Sequence, residues 1–220
     1  MGKSKKSRLI RRAMSRRRRN LLAVAVIVLL ALLGMMDRRF GGGLRQSISH
    51  WGGDWDEYSK YHNRSFSVVH VVDGDTLDLG IPDGTHPTTR VRLMGIDTPE
   101  KQIGDNPAMY YGPEATEYAT GLAMGREATV LLDTVGDVRD KYGRLLAYIR
   151  LPDGSILNEQ LIGNGYGYAD LRFRHCRFDA FVALQQRAIE NKAGLWAKVR
   201  RDQLPPWLQR ERPDMLKKAR

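Results

Sequence analysis

The chain has 220 residues, a formal net charge of +11 and 42% hydrophobic residues, room for one ordinary globular domain with additional segments. Residues 1–39 hold twelve Lys/Arg against one acid, Asp37, an excess equal to the whole net charge, while residues 40–197 carry 16 bases and 21 acids and sum to −5. Composition therefore does not by itself make the chain a nucleic-acid binder, and the single cysteine, Cys176, excludes an internal disulfide and a multi-thiolate metal site.

In chain order, a basic segment over 1–20 leads into an apolar run from Leu21 to Met36, 16 residues long. As a helix at about 1.5 Å per residue this run spans roughly 24 Å, short of a bilayer core of about 30 Å but within reach of local thinning and snorkelling by Arg19 and Arg38. We expect a retained transmembrane signal-anchor at 21–36, with a cleaved signal peptide as the alternative. Ten basic residues precede the run and only Arg38 and Arg39 closely follow it, which predicts a cytoplasmic N-terminus and places the rest of the chain outside the cytoplasm. Secretion after cleavage is the corresponding alternative. Residues 37–65, opening on Gly41-Gly42-Gly43, read as a linker.

From residue 66 the texture changes to short β-type runs: Phe66–Val72, Thr76–Leu79, Thr88–Ile96, Ala128–Leu132 and Leu145–Leu151, punctuated by Asp-Gly and Pro-Asp-Gly turns. Gly112-Pro113-Glu114 opens a helix with Ala115, Tyr118, Ala119 and Leu122 on one face. A short helix is predicted near Leu157–Ile162, and a last one carries Phe178, Phe181, Val182, Ala188 and Ile189 on one side. Five strands with a helix between the third and fourth predict a mainly β, α+β domain over 66–197: a five-stranded OB-fold Greek-key barrel with about three helices. Residues 198–220 are left as a basic C-terminal tail.

Three stretches carry chemistry. Val71-Val72-Asp73-Gly74-Asp75-Thr76 has the form of a hairpin turn; Arg92-Leu93-Met94-Gly95-Ile96-Asp97-Thr98-Pro99-Glu100 sets an arginine on a strand and two carboxylates around a stiffening proline; Asp140-Lys141-Tyr142-Gly143-Arg144 is a polar turn. Each alone is compatible with a solvated loop. Together they hold what phosphodiester cleavage demands. Carboxylate and carbonyl oxygens select Ca²⁺ or Mg²⁺, guanidinium groups recognise phosphate, and a further carboxylate can serve as general base. Alanine at Arg92 or Arg144 is then expected to lower turnover by about 10²–10³ while leaving the fold intact.

Asp-Gly-Asp-Thr, Arg-x-x-x-x-Asp-Thr-Pro-Glu, Tyr-Gly-Pro-Glu-Ala and Asp-Lys-Tyr-Gly-Arg stand here in the order and near-spacing of the staphylococcal nuclease (thermonuclease) family, which residues 66–197 resemble. The resemblance implies an OB-fold barrel and calcium-dependent hydrolysis of DNA and RNA with little sequence preference, leaving 3′-phosphates. It implies Ca²⁺ on Asp75, Asp97 and the carbonyl of Thr98. Glu100 would activate water, Arg92 and Arg144 would clamp the scissile phosphate, and Lys141 and Tyr142 would lie near the substrate's phosphates.

Some positions depart from the founding pattern. The stretch from Asp75 to Arg92 is longer, which predicts an enlarged hairpin at Gly80–Pro87, and the loop Lys101–Tyr110 holds only one lysine together with Asp105. Phe173, after Tyr166 and Tyr168, serves either as core or as a stacking surface for a base. The rival reading is an inactive OB-fold module that binds nucleic acid or protein at a membrane. Partners expected are a nucleic-acid substrate and a membrane, with the chain monomeric.

Overall fold

Buried and more exposed side chains alternate along Thr89–Leu93 and Glu127–Leu132, the two-residue period of a half-buried strand, whereas Thr76–Leu79 is buried throughout. A computed structural model describes residues 56–102 and 104–216; the basic segment, the expected membrane span and residues 37–55 of the expected linker lie outside the described residues. Strand β1 (Arg64–Asp73) pairs antiparallel with β2 (Thr76–Leu79), which pairs antiparallel with β3 (Thr89–Leu93). After β4 (Ile96–Asp97) and helix α1 (Gly112–Ala123), β5 (Glu127–Leu132) pairs with β6 (Leu145–Arg150), and β6 lies parallel to β3. Pairing of β5 with β1 closes the barrel in the order β1-β2-β3-β6-β5. The parallel β3–β6 contact is possible because a long crossover containing α1 and β5 separates the two strands.

Inward-facing Val68, Leu77, Leu79, Val91, Leu93, Val130, Leu145 and Ile149 fill the barrel, each at most 2% exposed. Helix α1 begins at Gly112 with Pro113 in its first turn and lays Ala119 and Ala123 on this core. Helix α2 (Leu157–Gly163) adds Leu157, Leu161 and Ile162, and α3 (Phe178–Glu190) adds Phe181. Between α2 and α3, β7 (Tyr168–Ala169) pairs with β4 as a two-stranded sheet, aligning Asp97 with Tyr168.

The architecture is the expected five-stranded barrel with three refinements. The predicted strand Thr88–Ile96 breaks at Gly95, whose φ of +73° belongs to the left-handed region that glycine tolerates; Ile96 and Asp97 beyond it form β4 and leave the barrel. Helical structure exceeds the three predicted helices, with residues 56–61 helical and α4 at Pro206–Glu211. These additions belong to segments expected as linker and tail. Tyr61 is fully buried and joins the barrel core, while Leu204, Trp207, Leu208 and Met215 are buried in a second cluster with Tyr168, Leu195 and Trp196. The reason is apolar content: tryptophan, leucine and methionine spaced through 196–215 supply area to bury, which the basic residues between them masked. The β2–β3 connection runs over 80–88, carries an Asp83–His86 bridge, and is tied by Arg139, which bonds both Asp83 and Glu57. Among the described residues no helix is long and apolar enough to cross a membrane.

Candidate active site

The register of the barrel brings the first two chemical stretches together. Thr76 lies opposite Arg92 across the β2–β3 ladder, so Asp75, one residue earlier in the β1–β2 turn, faces the arginine. Asp75 is 2% exposed and forms an ion pair with Arg92 through Oδ1. Its Oδ2 accepts from the Thr98 backbone N–H at 2.8 Å and from the Thr98 hydroxyl at 3.2 Å. Gly74 is required here by space, not φ: a Cβ at this position would stand 2.6 Å from Thr98 Oγ1. Asp73 steadies the same turn by accepting from the Asp75 N–H at 3.0 Å.

Arg92 reaches a second carboxylate as well. Its NH2 group donates to Asp97 Oδ1 at 2.6 Å and to the Ile96 carbonyl at 3.2 Å. One guanidinium, 15% exposed, therefore bridges two carboxylates from separate turns. Asp97 also lies 3.3 Å from the Arg172 guanidinium, and its Oδ2 accepts from Trp207 Nε1 at 2.8 Å. Glu100 sits just beyond, with its carbonyl accepting from the Met109 N–H at 2.8 Å. Gly112 lets the chain pass this point, because a Cβ there would be 2.1 Å from the Glu100 carbonyl oxygen; this explains the glycine in Tyr-Gly-Pro-Glu.

The Glu100 carboxyl is pushed above the usual carboxylate range, first by burial and next by the Asp73 charge, with Asp97 adding and Arg92 and Arg144 opposing. Glu100 thus shares one electrostatic field with Asp73, Arg92, Asp97 and Arg144. A group that is partly desolvated, surrounded by both signs of charge, and stronger as a base than a free carboxylate is suited to taking a proton.

The third stretch supplies the rim. Arg144 is held within its own turn, donating through Nε to Asp140 Oδ2 at 2.7 Å, while Asp140 Oδ1 accepts from the Arg144 backbone N–H at 3.0 Å. Tyr142 is 72% exposed, with Lys141 Nζ 4.9 Å from its ring centroid and the Arg144 guanidinium 5.5 Å away. Phe173 is 63% exposed and lies under the Arg172 guanidinium at 5.8 Å. The core alternative for Phe173 is thereby corrected: the chain turns at Asp170–Arg172, where Asp170 accepts from Arg172, and projects the ring to solvent.

Hard oxygen donors and surplus negative charge fit a hard divalent cation. Arg92 gives one positive charge against Asp75 and Asp97, and Asp73 and Glu100 add to the acid side. Among the described residues no three His, Cys, Asp or Glu side chains converge as a ligand shell, so a cation at this place would draw on Asp75, Asp97, a carbonyl such as that of Thr98, and water. Four residues of the site escaped the sequence reading. Asp73 and Asp140 stood inside quoted motifs, and nothing marked the first as a support of the Asp75 turn or the second as the partner of Arg144. Arg172 and Trp207 reach Asp97 only through folding, and their side-chain types alone signal nothing.

A closed barrel of this strand order, with carboxylates and guanidinium groups gathered on the β1–β2 turn and β3–β4, is an OB-fold hydrolase-type site. The family described as staphylococcal nuclease homologue matches residues 90–198. An uncharacterised endonuclease of Escherichia coli O157:H7 is 32% identical over 146 residues, covering 66% of this chain and 84% of that protein. A thermonuclease of Staphylococcus hyicus is 27% identical over 140 residues, covering 63% of this chain and 79% of that protein. An uncharacterised protein of Methanocaldococcus jannaschii is 28% identical over 202 residues, covering 81% of this chain and 94% of that protein. The chain belongs to the staphylococcal nuclease family.

Proposed function

We propose that the chain is a Ca²⁺-dependent endonuclease that hydrolyses phosphodiester bonds of DNA and RNA with little sequence preference. The observation that carries this reading is the bridging of Asp75 and Asp97 by Arg92, with Glu100 in the same field. Bound Ca²⁺, on Asp75, Asp97 and the Thr98 carbonyl, would supply a Lewis acid for a phosphate oxygen and an anchor for water.

Glu100 takes a proton from the attacking water as its oxygen bonds to phosphorus. The bond to the 5′-oxygen breaks, that oxygen takes a proton from solvent water to end as a hydroxyl while Glu100 returns its own proton to solvent, and the phosphate stays on the 3′ side. Arg92 and Arg144 donate to the non-bridging oxygens as negative charge grows on them. For Arg144 this requires exchanging Asp140 for phosphate, which its partly exposed turn allows. Tyr142, Lys141 and Phe173 meet the flanking nucleotide, with the aromatic faces offering sequence-tolerant stacking.

Location belongs to the same proposal. The Leu21–Met36 run would hold the protein at a membrane with its N-terminus in the cytoplasm and the nuclease domain outside. Extracellular calcium fills oxygen sites with dissociation constants of about 10⁻⁴–10⁻³ M, and an unspecific nuclease is kept from the host's own nucleic acid.

The test is digestion of single-stranded DNA and of RNA by the full chain with Ca²⁺, with a chelator, and with Glu100→Gln. Cleavage that stops in chelator and drops at least about a hundredfold in the variant supports the reading. Substrate binding without cleavage in Ca²⁺ would instead identify an inactive binding module.

A further inference from the structure

The segment after α3 does more than cover the barrel. Val199, Leu204, Leu208 and Met215 pack with Tyr168 and Trp196. The Arg201 guanidinium closes the segment by donating to the carbonyls of Gln209 at 3.1 Å, Met215 at 3.2 Å and Arg212 at 3.4 Å. Helix α4 opens at Pro206, so Trp207 sits in its first turn. The indole is 7% exposed and its one polar atom, Nε1, donates to Asp97 Oδ2. Trp196 belongs to the same apolar cluster, yet its buried Nε1 has no hydrogen-bond partner among the described residues. Apolar packing therefore does not by itself provide a partner for a buried indole N–H; the Trp207 contact is specific to Asp97.

A second group acts on the same carboxylate. Arg172 grips Asp170 with two bonds, Nε at 2.8 Å and NH2 at 2.7 Å, and its guanidinium lies 4.5 Å from the Trp207 ring centroid. From there NH2 stands 3.3 Å from Asp97 Oδ1, the oxygen that Arg92 also contacts. A carboxylate offers about four lone-pair directions. Arg92 donates to Oδ1, Arg172 stands beside that same oxygen, and Trp207 takes one direction of Oδ2, so the second direction of Oδ2 is one that none of these three groups fills. Without Trp207 the carboxylate can rotate about its terminal torsion, which is broad and weakly restrained.

We propose that Trp207, aided by Arg172, is a positioning residue that fixes the Asp97 carboxylate for one-oxygen ligation of Ca²⁺, making residues 198–216 a clasp of the site and not an appendage. The inference rests on the reading of Asp97 as a calcium ligand. Donors behind a metal-bound group typically change metal affinity by about 10–100-fold when removed.

The test is Ca²⁺ binding by calorimetry to the full-length chain as wild type, Trp207→Phe, Arg172→Gln and Asp97→Asn, with melting of each in chelator. Trp207→Phe keeps the apolar plug and loses the N–H. We expect its Ca²⁺ affinity to fall about tenfold with the chelator melt within a few degrees of wild type, and the wild-type Trp207 indole NMR signal to shift on Ca²⁺ addition. Should Trp207→Phe fold poorly, Arg172→Gln answers the same question and is expected to weaken Ca²⁺ severalfold. Equal affinity in the wild type and in whichever of these variants folds, with Asp97→Asn unable to bind, overturns the clasp and leaves the ligand reading standing. Equal Ca²⁺ binding by wild type and Asp97→Asn, or none by wild type, overturns the ligand reading and the clasp with it.

Discussion

Arg92 and Arg144, the two guanidinium groups expected at one phosphate, are held in opposite ways. Arg92 rises from a barrel strand, is largely buried, and bridges carboxylates contributed by two different turns. Arg144 projects from the turn that also supplies its partner, Asp140, four residues earlier. The first belongs to a rigid floor in which the charges hold the polypeptide together. The second belongs to a rim whose local ion pair can be exchanged for a ligand without disturbing the barrel. The difference shows that equal roles toward a substrate need not mean equal roles in the fold.

Substitutions separate the two. Arg92→Ala should lower turnover by at least about 10²–10³ and also destabilise the fold by about 3–5 kcal/mol, because Asp75 is left as a buried, uncompensated charge. The expectation that this change leaves the fold intact is thus revised by the burial of its partners. Denaturant midpoints alongside steady-state rates read both effects; an unchanged midpoint would mean that the floor is not built on this bridge. Arg144→Ala should give a comparable loss of turnover with stability within about 0.5 kcal/mol of wild type. A large stability loss there would erase the contrast.

Further out on the rim the effect should shrink and change character. Phe173→Ala or Tyr142→Ala should weaken substrate binding by about 1–3 kcal/mol, seen as a higher KM at unchanged kcat. A fall in kcat with KM constant would place these rings nearer the chemistry than their exposure suggests. The smallest effect serves as a control away from both arginines. Burial raises the Asp133 carboxyl, yet donation from Tyr148 and from the Cys176 and Val135 backbone N–H groups outweighs it, and the net position is below the ordinary range. Its folded pKa being lowered, the stability it contributes is present above the unfolded pKa of about 3.9 and is lost as pH falls through the folded value. Asp133→Asn should flatten that acid limb of a pH-stability profile without altering calcium dependence.

Most of the barrel and the floor of the site could be read from residue order. The apolar runs Phe66–Val72 and Leu145–Leu151 mark barrel strands, and Arg92, Asp97 and Glu100 stand within nine residues of sequence, close enough to meet again across the turn at Gly95. Contacts made by long-range packing could not be read. Trp207 and Asp97 are 110 residues apart and meet because an apolar segment hidden among basic residues folds back over β7. The break at Gly95 was equally hidden, since a glycine within a strand-like run signals a turn only once β4 has found β7.

The most direct trial of the central claim is a crystal structure of the chain with Ca²⁺ and a nucleoside bisphosphate. The account predicts the cation on Asp75, Asp97 and the Thr98 carbonyl, and a phosphate gripped by Arg92 and by an Arg144 released from Asp140. A cation bound elsewhere, or a phosphate that neither guanidinium touches, would contradict it.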